Sequence, residues 1–176
     1  MKRVLLCSAI AVALLSACSK NEKNITDPTP ENGFAINSGD ANETPYGFRV
    51  QWSTEQGGKM LLSNVNIDDP SFSGKITGIQ IQIDTLVDGQ TYNFMPRDSA
   101  AFDKRKNFGI AETGINVDFN GGTIVSGTGT LLTTLRSGSL KIKKESAEVY
   151  SLNYVLDYTD AVISGSFTGQ MPAVND

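Results

Sequence analysis

From Tyr150 to Tyr158 every second residue is large and apolar: Tyr150, Leu152, Tyr154, Leu156 and Tyr158 alternate with Ser151, Asn153, Val155 and Asp157. A period of two places successive side chains on opposite faces of an extended chain, so the stretch predicts a strand with one buried face. A helix would spread the same residues around its circumference. The pattern recurs. Ile79, Ile81 and Ile83 alternate with Gln80 and Gln82, and Tyr46, Phe48, Val50 and Trp52 share one side of the run 46–52, which predicts burial for all four. Further strands are expected over 60–67, 91–95, 115–119 (Ile115, Val117 and Phe119 together), 123–125, 130–135, 140–143 and 162–169. Turns are expected at Gly57-Gly58, Asp68-Asp69-Pro70, Asp88-Gly89 (hairpin type), Asn120-Gly121-Gly122, Ser137-Gly138 and Asp160. The one candidate helix is 98–107, where Asp98 or Ser99 is placed to cap and Lys104 to Lys106 suit a last turn; at this length a loop is the alternative. Roughly eight to ten short strands with regular turns predict an all-β fold with at most one short helix. An antiparallel β-sandwich is preferred to a barrel because most strands show one wet face; immunoglobulin-like and jelly-roll connectivity both remain open.

The first eighteen residues follow different rules. Lys2 and Arg3 precede an apolar run from Val4 to Leu15, and small residues follow. This is the pattern of a secretory signal rather than of a membrane span. Leu15-Ser16-Ala17-Cys18 resembles the lipobox of bacterial lipoproteins. The resemblance implies that lipid is attached to the Cys18 thiol, that residues 1–17 are removed, and that the new amine is acylated; an ordinary secretion signal is the alternative. Residues 18–32 then form the lipidated cysteine and a polar tether extended by Pro28 and Pro30, and residues 33–176 a single domain. Ser19 after the cysteine implies, by resemblance to enterobacterial sorting, the outer membrane, with the leaflet left open. Cys7 leaves with the signal, so no disulfide is expected in the mature chain. The segment 88–92, Ser137-Gly138-Ser139-Leu140-Lys141-Ile142, the aromatic strand after it and Ile163-Ser164-Gly165-Ser166-Phe167-Thr168-Gly169 resemble a loose group of Bacteroidota surface lipoproteins. That resemblance spans residues 72–170 and implies a β-sandwich and a habitat, not an activity.

Charge narrows the partners. Removing Lys2 and Arg3 from 15 basic residues leaves 13 against 19 acidic ones, a formal balance of −6. An acidic surface argues against nucleic acid and against peripheral attachment to anionic lipid, so the lipid on Cys18 is the expected membrane contact.

The chain contains no histidine. Serine and cysteine hydrolases lose their usual general base, and transition metals their commonest ligand. With Cys18 occupied by lipid, thiol chemistry is excluded as well, and no cofactor or metal is expected. Carboxylates remain. Glu43, Glu55, Asp84, Asp118, Glu145 and Asp157 are candidates for glycoside hydrolysis without a motif behind them. Asp84 and Asp88 offer oxygen ligands for calcium, although aspartate before glycine is already explained by turn geometry. Lys104, Arg105 and Lys106 form the one basic cluster of three, a solvated run or a receptor for an anionic glycan or an acidic protein face. Trp52 and Tyr92, with Tyr46, are the candidate aromatic platform for a sugar ring. The expected function is that of a non-catalytic binding or interaction module of the cell envelope, with glycan or protein as partner. The alternatives are a structural subunit of a surface complex or adhesin-like fibre, and a carboxylate-only glycan hydrolase.

Overall fold

The structure, a computed structural model, describes residues 30–53, 57–69, 71–120, 123–125 and 127–174; the side chains of residues 51–53 and 123 lie outside that description. The described residues are all-β. In chain order the strands are β1 (Gly33–Ile36), β2 (Ala41–Glu43), β3 (Tyr46–Ser53), β4 (Gly57–Ser63), β5 (Ser73–Ile83), β6 (Thr91–Phe94), β7 (Asn107–Asn120), β8 (Thr123–Ile124), β9 (Thr130–Leu132), β10 (Leu135–Lys144), β11 (Val149–Tyr158), β12 (Val162–Gln170) and β13 (Ala173–Val174). They form one sheet in the order β13-β3-β4-β5-β7-β6-β10-β11-β12-β1-β2, with β8 and β9 both paired to β7. The sheet curls as a half-barrel. It is mixed rather than purely antiparallel: β6 runs parallel to β7, and β13 parallel to β3.

The five large residues of β11 all turn into one core, which they share with Ile79, Ile81 and Ile83 of β5, Leu140 and Ile142 of β10, and Phe167 of β12. Burying each such side chain contributes about 1.5–3 kcal/mol, so alternation on these strands decides which way the sheet bends. Tyrosine hydroxyls inside it have partners. Tyr158 meets Thr113 across the interior at 3.0 Å, and Tyr154 donates to the Gly33 carbonyl at 3.2 Å.

Strand β3 faces the opposite way to the expectation. Its register pairs Phe48 with Leu61 and Arg49 with Met60, and Met60 belongs to the core. Arg49 and Gly47 therefore point inward. A Cβ on Gly47 would come within 2.6 Å of Phe167 and 2.8 Å of Met171, so that inner position has no room for a side chain. Phe48 is buried but stands apart from the core cluster, and Tyr46 is exposed, so the burial expected for it is corrected. The chain after β12 bends through Met171 and Pro172 and returns beside β3. There the Arg49 amide donates to the Pro172 carbonyl at 2.9 Å and Arg49 Nε to the Met171 carbonyl at 2.6 Å.

Strand β7 also changes phase. Asn116 has φ 52°, the left-handed region, and the register slips between Ile76 and Gly78 on the partner strand β5. This is a β-bulge, one extra residue on one strand. Before it, Ala111 and Ile115 pack on the core; after it, Val117 is buried outside the core cluster, on the opposite side of the sheet. Ile115, Val117 and Phe119 thus do not share a face, contrary to the alternation.

Two turn expectations change as well, and the helix-or-loop alternative at 98–107 is decided. Asp88-Gly89 does form a turn, but β5 and β6 are not partners: β6 lies between β7 and β10. Ser137 and Gly138 lie inside β10, opposite Asp157 and Leu156, beside a bulge that follows Leu135. The 98–107 stretch is a succession of turns and not a helix. Ser99 N donates to Pro96 O, Phe102 N to Ser99 O and Lys106 N to Asp103 O, and the Asp103 carboxylate accepts from Arg105 N.

Two outcomes follow from this packing. Asn116→Gly should leave stability within a few tenths of a kcal/mol, whereas Asn116→Val should cost about 1–2 kcal/mol in chemical denaturation, because a β-branched residue resists the left-handed region. Burial raises the hydroxyl pKa of Tyr154 and of Tyr158, the latter to about 12. Below pH 10 both states keep these protons; above it the unfolded chain ionises first, so the stability present at neutral pH is lost as pH rises from 10 toward 12. Ring carbon NMR shifts of Tyr154 and Tyr158 should report their ionisation only together with the loss of far-UV β signal; ionisation of either ring near pH 10 with the fold intact would contradict the burial.

Candidate functional site

The inner face of the half-barrel is filled, so attention passes to the outer one. Its two halves differ. Across β10, β11 and β12 the register lines up Lys141, Asn153 and Ser166, then Lys143, Ser151 and Thr168, a surface of small polar and basic side chains. Across β3, β4, β5 and β7 the outward face carries an apolar row, Val50, Leu61, Ile76, Val117 and Phe119, with Lys59 and Gln82 on the same face beside Val50. A groove of about 560 Å³ runs over this second half, flanked also by Ile67, by Val174 of β13, and by Ile124 and Leu131 of β8 and β9. Ile124 and Leu131 are about half exposed. Apolar side chains left open to water in one concave place mark a contact site more often than an accident of packing.

The groove owes its depth to glycine. Gly78 and Gly114 are register partners at its centre. A Cβ on Gly78 would strike the Leu62 carbonyl, and one on Gly114 would press on Val117 at 3.3 Å and approach Leu131 at 3.9 Å. Beyond this pair lies one polar step, Gln80 opposite Glu112. Among the described residues Glu112 forms no salt bridge and neither side chain forms a hydrogen bond, although both are partly buried. The groove therefore has a long apolar part, supplied by the phase change at Asn116, and a single acceptor-rich end.

The residues singled out in the sequence are not gathered here. Cys18 and the tether up to residue 29 lie outside the described residues, as does the Trp52 side chain. Tyr92 is fully buried; its hydroxyl accepts from the Val87 amide and donates to the Thr85 carbonyl, both at 2.7 Å. It fastens the loop before its own strand and has no ring face to offer, which corrects its place in an aromatic platform. Its strand, β6, is separated from β3 by β4, β5 and β7 in the strand order. Lys104, Arg105 and Lys106 occupy an exposed turn before β7, and the Asp103 carboxylate sits among them, 3.3 Å from Lys106 Nζ. The Arg105 amide and Lys106 hold the Asp103 carboxyl below its ordinary pKa.

The carboxylate candidates are dispersed, and four are engaged; Glu43 is exposed on β2 with no salt bridge among the described residues. Asp84 pairs with Arg97 at 2.7 Å, Asp118 with Lys75 at 2.7 Å, Asp157 with Arg136 at 2.6 Å and Glu145 with Lys143 at 2.8 Å; Glu55 lies outside the described residues. Hydrogen bonds from Arg136 and from Lys143 lower the pKa of Asp157 and of Glu145, the direction opposite to that of a general acid. Asp88 accepts from the Lys144 amide at 2.7 Å, pinning its turn to the end of β10.

Glu112, Gln80, Leu61 and the glycine pair were not selected from the sequence. Gln80 shows only as the wet side of an alternating strand. The segment 107–114 carries no alternation because Gly109 and Gly114 interrupt it, so Glu112 had no strand to sit on.

Asp84 meets Arg97 through one oxygen while its other carboxylate oxygen is buried without a hydrogen-bond partner, and Asp88 accepts a main-chain amide. Among the described residues no three acidic side chains gather around either, so millimolar calcium should leave the thermal midpoint where a chelator leaves it. A site filled at a hundred times its Kd would add about 2.7 kcal/mol and move the midpoint by several degrees, which differential scanning calorimetry resolves. No family model matches the chain, and it has no match among curated proteins or solved structures.

Proposed function

We propose that this chain is a cell-envelope lipoprotein, anchored through lipid on Cys18 at the outer membrane, whose β domain is a non-catalytic binding module. The observation that carries the binding half of the reading is the apolar groove across β3, β4, β5 and β7, with its glycine floor and exposed Ile124 and Leu131. Folding alone favours hiding such side chains, as the outer face of β10 to β12 does by using serine, threonine and asparagine. The lining, aliphatic apart from Phe119 among its apolar side chains, supports an apolar ligand over a sugar ring, which stacks on aromatic faces. The curled sheet is consistent with a sandwich-like arrangement in which the β3–β4–β5–β7 arm and the β10–β11–β12–β1 arm act as the two layers around the core. Fibre assembly by strand addition is less favoured, since the ends of the strand order, β2 and β13, are three and two residues long.

The anchor is tested by intact-mass analysis of protein extracted from the native envelope. The expected species begins at Cys18 and carries acyl chains on the thiol and the amine. A species that retains Met1, or has a free thiol at position 18, overturns the anchoring.

A further inference from the structure

The groove is apolar along its length and anionic at one end, and that asymmetry selects a ligand. A glutamate carboxylate accepts hydrogen bonds, and Glu112, partly buried, has no hydrogen-bond or salt-bridge partner among the described residues. Within the groove the neighbouring polar group is the Gln80 amide, one strand away in register, at the usual cross-strand Cβ separation of about 5 Å. The remaining walls, from Val50 and Leu61 to Phe119 and Val174, supply dispersion contacts and no donors from their side chains. An occupant that compensates this site has an aliphatic body and a cationic head with N–H donors.

We propose that the groove binds a small organic amine: an alkyl chain lies over the Gly78–Gly114 floor and its ammonium group is held by Glu112 and Gln80. This rests on the groove being the binding site proposed above, and it adds the chemical class of the ligand. An anionic amphiphile is disfavoured by the carboxylate. A neutral one leaves Glu112 without a counter-charge.

The test uses the full chain carrying Cys18→Ser, which removes the lipid acceptor, at pH 7 in physiological salt. Octylammonium, octan-1-ol and octanoate, each below its micellar range, are titrated while the backbone amides of Leu61, Gly78, Gly114 and Leu131 are followed by NMR. Octylammonium is expected to bind at least about tenfold more tightly than octanoate, a difference of about 1.4 kcal/mol. Glu112→Gln should weaken octylammonium by about tenfold and leave octan-1-ol unchanged. The exposed double variant Ile124→Asp/Leu131→Asp should weaken octan-1-ol and octylammonium alike, because both lay their chains along the same wall. Equal affinities for the three probes, or indifference to Glu112→Gln, overturn the amine assignment while leaving the groove as a binding site. If none of the probes moves these amides, the groove itself is refuted along with the amine.

Discussion

The contact between Arg49 and the main chain at Met171 holds the curled sheet in shape. A guanidinium facing the core is expensive unless its donors are used and its charge is offset. Here Nε donates to the Met171 carbonyl at 2.6 Å, and the group lies 5.4 Å from the centre of the Tyr150 ring. Glu148, at 4.0 Å and mostly exposed, adds little. The consequence is topological. The chain leaving β12, whose partner is β11, is drawn back onto β3, so the two ends of a long sheet are tied through the segment Met171–Val174. The same segment delivers Val174 to the rim of the outer groove. One buried charge thus bears on both faces of β3.

The second constraint is the extra residue in β7. With strict alternation throughout, Val117 would have followed Ala111 and Ile115 into the core. The left-handed backbone at Asn116 instead sends Val117 outward, where it meets Ile76 across the strand pair. Apolar surface is moved from a filled interior to an outer face that β8 and β9 only partly cover. The Thr77 hydroxyl accepts from the Asn116 amide at 3.0 Å, so the bulge leaves that donor satisfied. The bulge and the glycine pair beside it are why a groove exists where a two-residue repeat alone would build a ridge. Bulges placed beside binding sites re-aim side chains in this way.

These two features also explain the electrostatic layout. Some basic and acidic side chains of the surface meet one another, in pairs such as Lys75 with Asp118 and Arg136 with Asp157, which are exposed and weak. Their role is solvation. Glu112 differs in place: it lines the concave, largely apolar part of the outer face and is partly buried there.

Period-two alternation made the strand-rich class plain, and it placed β5 and β11 with the correct faces inward, since a row of isoleucines or tyrosines has only one low-energy side to turn to. The absence of histidine likewise limited the chemistry without any coordinates. Alternation cannot say which of two faces is the inside when both carry apolar groups. On β3 the aromatic side went outward because Phe167 and Met171 already fill the space inside Gly47, a contact between residues more than a hundred positions apart. Nor can a repeat of two reveal where it is broken: Asn116 reads as one more polar position until its partner strand shows that Ile115 and Asn116 together face the single residue Thr77. The groove, and Glu112 at its end, exist through such long-range register, and no local pattern in 107–114 carries that information.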